Sequence, residues 1–346
     1  MAQASFGVGI IGTGWVAGEH ARAFLRHPRT NIVAVCGRTE DRARSFANAL
    51  SLDCAVYTDY EAMLQRDDVH IVSVATPPHL HCEHAVAAAE AGKHILLEKA
   101  MATTFEEART IVNAVDAAGV KSVVSFVLRW NPLFQIIKAL LADNTIGRVF
   151  LGEVDYFHGI GPWYKQYPWN VRRDIGVSSL LSAGCHAVDA LRWFMGGEVV
   201  EVFQYTTFGK APEFSDYEYA PTSTTILKFA DGRIGKVTSC IECIQPYTFP
   251  INLVGTEGTI RNNRVYSKRK YPGQTSWAEI PTILPDSGDV SHHPFFQEVS
   301  HLVECIETNT ESHANVADAF KTHEICFAAD RSGQEGRPIT LPLART

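Results

Sequence analysis

Near the start of the chain the apolar run FGVGII passes directly into Gly12-Thr13-Gly14-Trp15-Val16-Ala17. A helical pattern, WVAGEHARAFLR, opens inside that turn and stops before Pro28. Few folds place a glycine turn between a strand and a helix in this way. In G-x-G-x-x-G/A the first glycine permits a tight turn and the second lets the backbone approach a pyrophosphate. A small third residue lets helix and strand pack closely. The helix N-terminus then offers oriented N–H groups and positive potential to an anion. Gly12, Thr13, Gly14, Trp15 and Val16 are therefore the expected dinucleotide-binding residues, a merely structural glycine turn being the alternative.

The pattern repeats. NIVAVCG reads as a second strand and TEDRARSFANAL as a helix with Thr39 as N-cap; a turn-rich stretch and the short helix YEAMLQR follow. VHIVSVATPP is a strand stopped by prolines, HLHCEHAVAAAEAGK a helix closed at Gly92, HILLEKA a strand, TTFEEARTIVNAVDAAG a helix and VKSVVSFVL a strand. Strands alternating with helices of about 10–15 residues predict βαβ units and a parallel sheet. Near residue 128 the rhythm changes. After the helix NPLFQIIKALLADNTIG come VFLGEVDYFHG, a helix around CHAVDALRWFMG, and the strands EVVEVFQYTTFG, TSTTILKFADG, RIGKVTSCIECI and FPINLVGTEGTIR, with ADG and GTEG turns. Two late helices, PFFQEVSHLVECIETN and NVADAFKTHEICFAADRSGQEG, precede a short strand in PITLPL. The expected fold class is α/β: a dinucleotide-binding domain over 1–127, then an α+β domain over 128–346 on a broad antiparallel or mixed sheet. A length of 346 residues suits two domains.

Charge and cysteine usage exclude several classes. Lys plus Arg number 31 and Asp plus Glu 38, a net charge of −7 with no basic block, so there is no electrostatic footprint for nucleic acid. No apolar run approaches the ~20 residues that span a bilayer. MAQASFGVGI lacks the basic head and apolar stretch of a signal peptide, and the eight cysteines are scattered, so a reducing, cytoplasmic location is expected. Cys240 and Cys243 fall on an expected strand, where residues three apart point to opposite faces, and so read as small buried side chains rather than a metal pair. His79, His81 and His84 have metal-like spacing, but residues 79 and 81 do not share a helical face. No metal site is expected.

The second strand ends Val35-Cys36-Gly37-Arg38, with Gly37 where an NAD site usually carries an acid for the ribose 2′-hydroxyl. Arg38 can pair with a 2′-phosphate or stack on adenine. The cofactor is read as NAD(P), with a lean to NADP. Farther on, Glu98-Lys99 closes a strand, and ligands of such sheets lie beyond the carboxyl ends of the strands, so Lys99 is expected to point toward the cofactor.

With these residues in hand, the chain resembles the glucose–fructose oxidoreductase, inositol dehydrogenase and rhizopine-catabolism (Gfo/Idh/MocA) family. The matching pieces are GIIGTGWVAGEH, ATPPHLHCEHAVAAAEAGKHILLEKA and AGCHAVDALRWF, in order and over nearly the whole length. The resemblance implies an N-terminal Rossmann domain and a C-terminal domain built on a large open mixed sheet, which often forms the interface of a dimer or tetramer. It implies NAD(P)-linked chemistry on sugars, cyclitols or their derivatives. It also adds Thr76, Pro77, His81, Glu98 and Lys99 to the cofactor-binding residues, with Pro77 and Pro78 walling the nicotinamide. Two positions depart from the family's pattern. Glu-Lys-Pro stands here as Glu98-Lys99-Ala100, and Asp-x-Gly-x-His-x-x-Asp begins at Ser182 and keeps His186 and Asp189.

The resemblance implies that Lys99 and His186 are catalytic. An unperturbed imidazole titrates near neutrality, which suits His186 to general acid/base work, and Lys99 would stabilise negative charge on the reacting oxygen, or act as the base itself where a neighbouring cation and burial lower its pKa. Ser182 can hydrogen-bond a substrate hydroxyl but supplies no charge, which predicts a base poised lower than where an aspartate stands. The stretch YFHGIGPWYKQYPWNVRRD offers aromatic faces and polar tips for a polyol. Trp163, Tyr164, Trp169 and Arg173 are its expected substrate contacts, and His292 and His293 are further candidates. The expected partner is thus a small sugar or cyclitol, with no nucleic acid and no membrane. A redox-neutral, glycoside-cleaving enzyme and a non-catalytic NAD(P) sensor are the competing readings.

Overall fold

The structure is a computed structural model that describes residues 5–285 and 293–344. The chain divides into two compact units, Met1–Phe126 with Pro294–Lys321, and Val127–His293 with Thr322–Thr346.

The first unit holds six parallel strands: β1 (Phe6–Ile11), β2 (Thr30–Cys36), β3 (Ala55–Tyr57), β4 (Ile71–Val74), β5 (His94–Leu97) and β6 (Ser122–Val124). Their order is β3-β2-β1-β4-β5-β6. The order reverses between β1 and β4, which opens a crevice at their carboxyl ends. β4 and β6 are buried throughout and β5 nearly so, as expected for strands covered on both faces. The helices between them are capped by their own sequence. The Thr39 hydroxyl accepts the Arg42 N–H, and Thr104 with Glu107 forms a capping box. The three-residue β3 lies in the stretch read as turns, too short to show a period.

The element pattern assigns 294–321 to the second domain, whereas the contacts place it with the first. The helix Phe295–Thr308 turns Phe295, Glu298, Val299, Leu302, Val303 and Cys305 inward. It packs on the helix Trp15–Arg26 and on β5 and β6, so its apolar stripe completes the core of the parallel sheet.

The second unit is built on nine strands: β7 (Val149–Phe157), β8 (Val199–Thr207), β9 (Thr222–Phe229), β10 (Ile234–Cys240), β11 (Ile251–Gly255), β12 (Gly258–Arg261), β13 (Arg264–Ser267), β14 (Ala278–Glu279) and β15 (Ile339–Thr340). They are ordered β14-β13-β12-β11-β7-β10-β9-β8-β15, with β7 and β10 parallel and the other pairs antiparallel. Here burial alternates. The helix Cys185–Met195 packs on β7 and β10 and covers one face. Cross-strand register aligns Phe203, Ile226, Lys236 and Glu153 in one row of the other face, with Tyr205 and Ile234 exposed in neighbouring rows.

Candidate active site

One group of candidate residues lies at the carboxyl ends of β1, β2, β4 and β5. Gly12 has φ +117°, and a Cβ there would sit 2.4 Å from the Ala75 carbonyl oxygen, so only glycine makes this turn. Gly14 differs. It is the N-cap of Trp15–Arg26, with extended backbone, no side-chain cap and no acid in the first helical turn. A Cβ there would meet nothing within 4 Å. Nothing in the chain itself demands glycine at 14, whereas a pyrophosphate pressed against the backbone would. The uncapped helix N-terminus and this open ledge fit a dinucleotide. At Gly37 a Cβ would stand 3.0 Å from Ala43 Cβ and from Thr13 Cγ2, tight contacts for any side chain, and Arg38 beside it is exposed.

After β4, Thr76 and Pro77 are half-buried. The His81 ring is fully buried, Nε2 being 2.7 Å from the Thr76 carbonyl oxygen and Nδ1 2.7 Å from that of Ala100. Burial lowers its pKa, and a neutral ring donates to only one of those carbonyls. Its ring thus ties the loop after β4 to the loop after β5. Burial also pushes His84 down to about 4, and its Nδ1 meets the Thr76 hydroxyl at 3.1 Å. Among the described residues no group of three or more His, Cys, Asp or Glu could hold a metal ion. Lys99 is half-buried just beyond β5, and the Lys99–Ala100 peptide is cis. Glu98 faces inward, 3.0 Å from His20 Nε2, and accepts the Lys99 N–H at 3.1 Å.

A second group of candidate residues lies wholly in the second unit. Val177, with φ +63°, leads into Ser178, whose hydroxyl accepts the Leu181 N–H and donates to Asp330 at 2.6 Å. A π-helical turn, Leu180–Gly184, then feeds the helix carrying His186. Gly184 lets that helix approach β10, since a Cβ would stand 2.6 Å from Ser239 Cβ. Farther along, Asp189 is buried in a bidentate pair with Arg129 and accepts from Thr322 at 3.0 Å. That pair fixes the helix. Ser182 is half-buried facing the Tyr219 phenol. The His186 ring stacks on Tyr156 at 6.4 Å and 15°.

From Tyr156 a polar chain runs outward. Its hydroxyl lies 3.1 Å from His158 Nδ1, and His158 Nε2 meets the Tyr164 hydroxyl. Burial holds the Tyr156 pKa far above the ordinary value, so it remains a donor. His158, Trp163, Tyr164, Phe214, Gln245 and Tyr247, with Glu213 and Cys243, line a cavity of about 380 Å³. Such a wall, aromatic with hydroxyl, imidazole and amide tips, suits a ligand with both C–H faces and hydroxyls.

With this geometry in place, the comparisons with known proteins decide the family. Residues 6–126 match the "Oxidoreductase family, NAD-binding Rossmann fold", and residues 134–261 match the "GFO/IDH/MocA C-terminal domain". The chain belongs to the GFO/IDH/MocA oxidoreductase family. It is 26% identical over 351 residues to D-apiose dehydrogenase of Paraburkholderia graminis, covering 96% of this chain and 88% of that one. It is 23% identical over 337 residues to scyllo-inositol 2-dehydrogenase (NAD(+)) of Bacillus subtilis, covering 97% and 96%. A solved levoglucosan dehydrogenase, in complex with NADH and levoglucosan, superposes with a TM-score of 0.88 at 22% identity, covering 98% of this chain and 100% of that one, and shares its fold.

In this GFO/IDH/MocA member, Gly12, Thr13, Gly14, Trp15, Val16, Arg38, Thr76 and Lys99 gather at one edge of the parallel sheet. His81 and Glu98 sit behind that edge, buried. Trp163 and Tyr164 share the cavity. Trp169, half-buried in the short helix Tyr167–Asn170, is not among its lining residues, and neither is Arg173. The Arg173 N–H bonds the Glu218 carboxylate at 2.9 Å, and its guanidinium bonds the Glu218 carbonyl. His292 lies outside the described residues, and His293 is half-buried just ahead of Pro294. β10 ends at Cys240, so Cys243 belongs to the next loop. There Glu242 accepts the Gly209 N–H and the Thr222 hydroxyl, and both cysteines are half-buried rather than packed away. Sequence reasoning missed Glu213, Phe214, Gln245 and Tyr247, which share no motif or period with the 156–174 stretch. Among the described residues no helix is long and apolar enough to cross a membrane.

Proposed function

We propose that this chain is an NAD(P)-dependent dehydrogenase or reductase acting on a secondary alcohol or ketone of a sugar, cyclitol or glycoside. The observation that carries the reading is the shared edge: Lys99 follows β5 at the same carboxyl end of the sheet where Gly12 to Val16 form the open nucleotide ledge. When bound there, the nicotinamide accepts or returns the hydride. The backbone N–H groups from Gly12 to Val16 hold the pyrophosphate, and Arg38 meets the adenosine end. Lys99 binds the reacting oxygen and stabilises negative charge on it. His186 takes the hydroxyl proton in oxidation and returns it in reduction. Ser182 orients a hydroxyl without adding charge, so Ser182→Asp should raise the acidic limb of the pH–rate profile. Trp163, Tyr164 and Tyr247 receive the ring of a neutral polyol; the names of the D-apiose, scyllo-inositol and levoglucosan enzymes support that substrate class. Arg38 beside Gly37 favours NADP over NAD. The open face around Tyr205 and Ile226 is the surface on which copies of the chain would pair, and the scattered unbridged thiols suit the cytoplasm.

The test is a panel of sugars, inositols and glycosides with both cofactors, followed at the reduced-nicotinamide absorbance. Lys99→Ala and His186→Ala should each cut kcat by about 10²–10⁴-fold with little change in cofactor affinity. Full activity in either variant removes that residue from the mechanism. Glycoside cleavage with no net cofactor change would replace the dehydrogenase reading.

A further inference from the structure

The end of β7 and the loop after it carry a line of three polar groups, all inside the second unit: Tyr156, His158 and Tyr164. The His158 backbone N–H bonds the Cys240 carbonyl at 2.9 Å, which pins the start of the loop to the end of β10. Its imidazole stands between the two phenols. Nδ1 lies 3.1 Å from the Tyr156 hydroxyl, and Nε2 meets the Tyr164 hydroxyl. Tyr247 packs on the imidazole at 5.0 Å and on the Tyr156 ring at 5.3 Å, and the Tyr164 ring meets the imidazole edge-on at 89°. Among the described residues, this imidazole is the one hydrogen-bond partner of each phenol hydroxyl. The two phenols differ in surroundings. Tyr156 is 8% exposed and is not among the residues lining the cavity of about 380 Å³, whereas Tyr164 is half-buried and lines it.

Counting protons gives this line a direction. A neutral imidazole has one N–H and one lone pair, and each phenol has one proton. In one arrangement Tyr156 donates to Nδ1 and the Nε2 N–H donates to the Tyr164 oxygen. The spare proton is then that of Tyr164, at the cavity. In the reverse arrangement Tyr164 donates inward and the Nδ1 N–H donates to Tyr156. The spare proton is then the buried one, with no acceptor among the described residues. A charged imidazole, donating from both nitrogens, strands the Tyr156 proton in the same way. A buried donor without an acceptor is costly, whereas a proton at the cavity can go to water or to a ligand. We propose that Tyr156 and His158 fix the Tyr164 hydroxyl as a donor facing the cavity, so that Tyr164 selects a ligand by an oxygen acceptor set against it: an ether, carbonyl or hydroxyl oxygen of a polyol derivative. Tyr164 is then a specificity residue, and Tyr156 a positioning residue that acts through it. This rests on the reading that the cavity receives the polyol. An acetal or ether oxygen, which has lone pairs but no proton, satisfies the donor as well as a free hydroxyl does, so an O-substituted sugar is not refused there. Burial keeps the Tyr156 proton in place, its pKa lying far above the ordinary value.

Nitrogen-15 correlation NMR of the unliganded, histidine-labelled protein reads the tautomer, with His158→Gln identifying the signals. A proton on Nε2 and a bare Nδ1 at neutral pH are expected; a proton on Nδ1, alone or together with Nε2, overturns the proposal. Steady-state kinetics with the panel of sugars, inositols and glycosides, at saturating cofactor, reads the donor. Tyr164→Phe keeps the ring and loses the proton, so KM should rise about fivefold with kcat held within about twofold. Tyr156→Phe should raise KM about threefold, and the double variant should be no worse than Tyr164→Phe alone, because Tyr156 acts through that hydroxyl. Losses that multiply in the double variant would show two independent structural effects and overturn the proposal. If Tyr156→Phe fails to fold, the tautomer and Tyr164→Phe decide. The expected tautomer with KM unchanged in both single variants would sink the reading of the cavity as the polyol site, and the selecting role of Tyr164 with it. A raised KM in Tyr164→Phe with the proton on Nδ1 would leave that reading standing and remove the proposal.

Discussion

The two units present their functional groups in different ways. In the first, the nucleotide ledge is mostly backbone, set at the ends of strands that follow one another in the chain. In the second, the cavity is walled by side chains from three separated stretches, 158–164, 213–214 and 243–247. A backbone site survives changes of side chain but not the addition of one. A side-chain site has the opposite weakness, and it is where substrate choice can drift while the fold stays still. The helix bearing His186 belongs to neither pattern, being held from beneath by buried polar residues.

The largest effect concerns that support. Asp330 is half-buried, and desolvation raises its carboxyl to about 7 despite hydrogen bonds from Ser178 and Gln204. A folded-state pKa above the unfolded value means stability that is complete at low pH and is lost as pH rises through the folded pKa. Relative to wild type, Asp330→Asn should therefore gain stability between about pH 4 and 7 and then level off, by up to about 4 kcal/mol. Thermal melts across that window check it. A pH-independent difference would show that the acid is ionised throughout.

Gly14→Ala sharpens the contrast between backbone and side chain. The chain has room for the methyl group, so the melting temperature should fall only slightly, by the modest cost of alanine at an N-cap. Dinucleotide Kd should nevertheless rise by about 100-fold, because the methyl occupies the space of the pyrophosphate. Titration calorimetry beside a melt separates the two. A large loss of stability with affinity intact would mean that Gly14 serves the fold alone.

This contrast also explains what could be read from the sequence. Gly12 to Ala17 is contiguous and carries its own structural context, and Lys99 closes an unmistakable apolar run. Strands β1, β4, β5 and β6 are buried almost throughout, so their hydrophobic runs stand out. Short polar strands such as β13 and β14 do not, and the 278–279 pair shows no period at all. Asp189 sits in a recognisable motif, yet its partner Arg129 lies 60 residues earlier, where nothing distinguishes it from a surface arginine. Glu298 looks in the sequence like the polar face of an amphipathic helix. Only the return of its segment to the parallel sheet buries it. The cavity stayed hidden for the same reason: its walls meet through tertiary structure, not through spacing.

Tyr164→Ala probes the second unit's side of the comparison. It removes a cavity wall and the end of the Tyr156–His158 chain, so KM for the polyol should rise about tenfold, worth ~1.4 kcal/mol, while cofactor Kd stays put. Steady-state kinetics at saturating cofactor checks this. An unchanged KM would place the substrate elsewhere than this cavity.

Arg38 gives the smallest effect, and it tests a side chain of the first unit that is asked to do what backbone cannot. Gly37 has tight neighbours in Thr13 and Ala43, and on the proposed reading discrimination between NAD and NADP falls to the exposed guanidinium next to it. An exposed arginine is screened by solvent, so its pairing with a 2′-phosphate is worth only about 1 kcal/mol. Arg38→Ala should then weaken NADP by about fivefold and leave NAD nearly unchanged, and the NADP term should shrink further as salt rises. Equal losses for both cofactors would mean that the arginine stacks on adenine instead, and a wild-type preference for NAD would remove the phosphate role altogether.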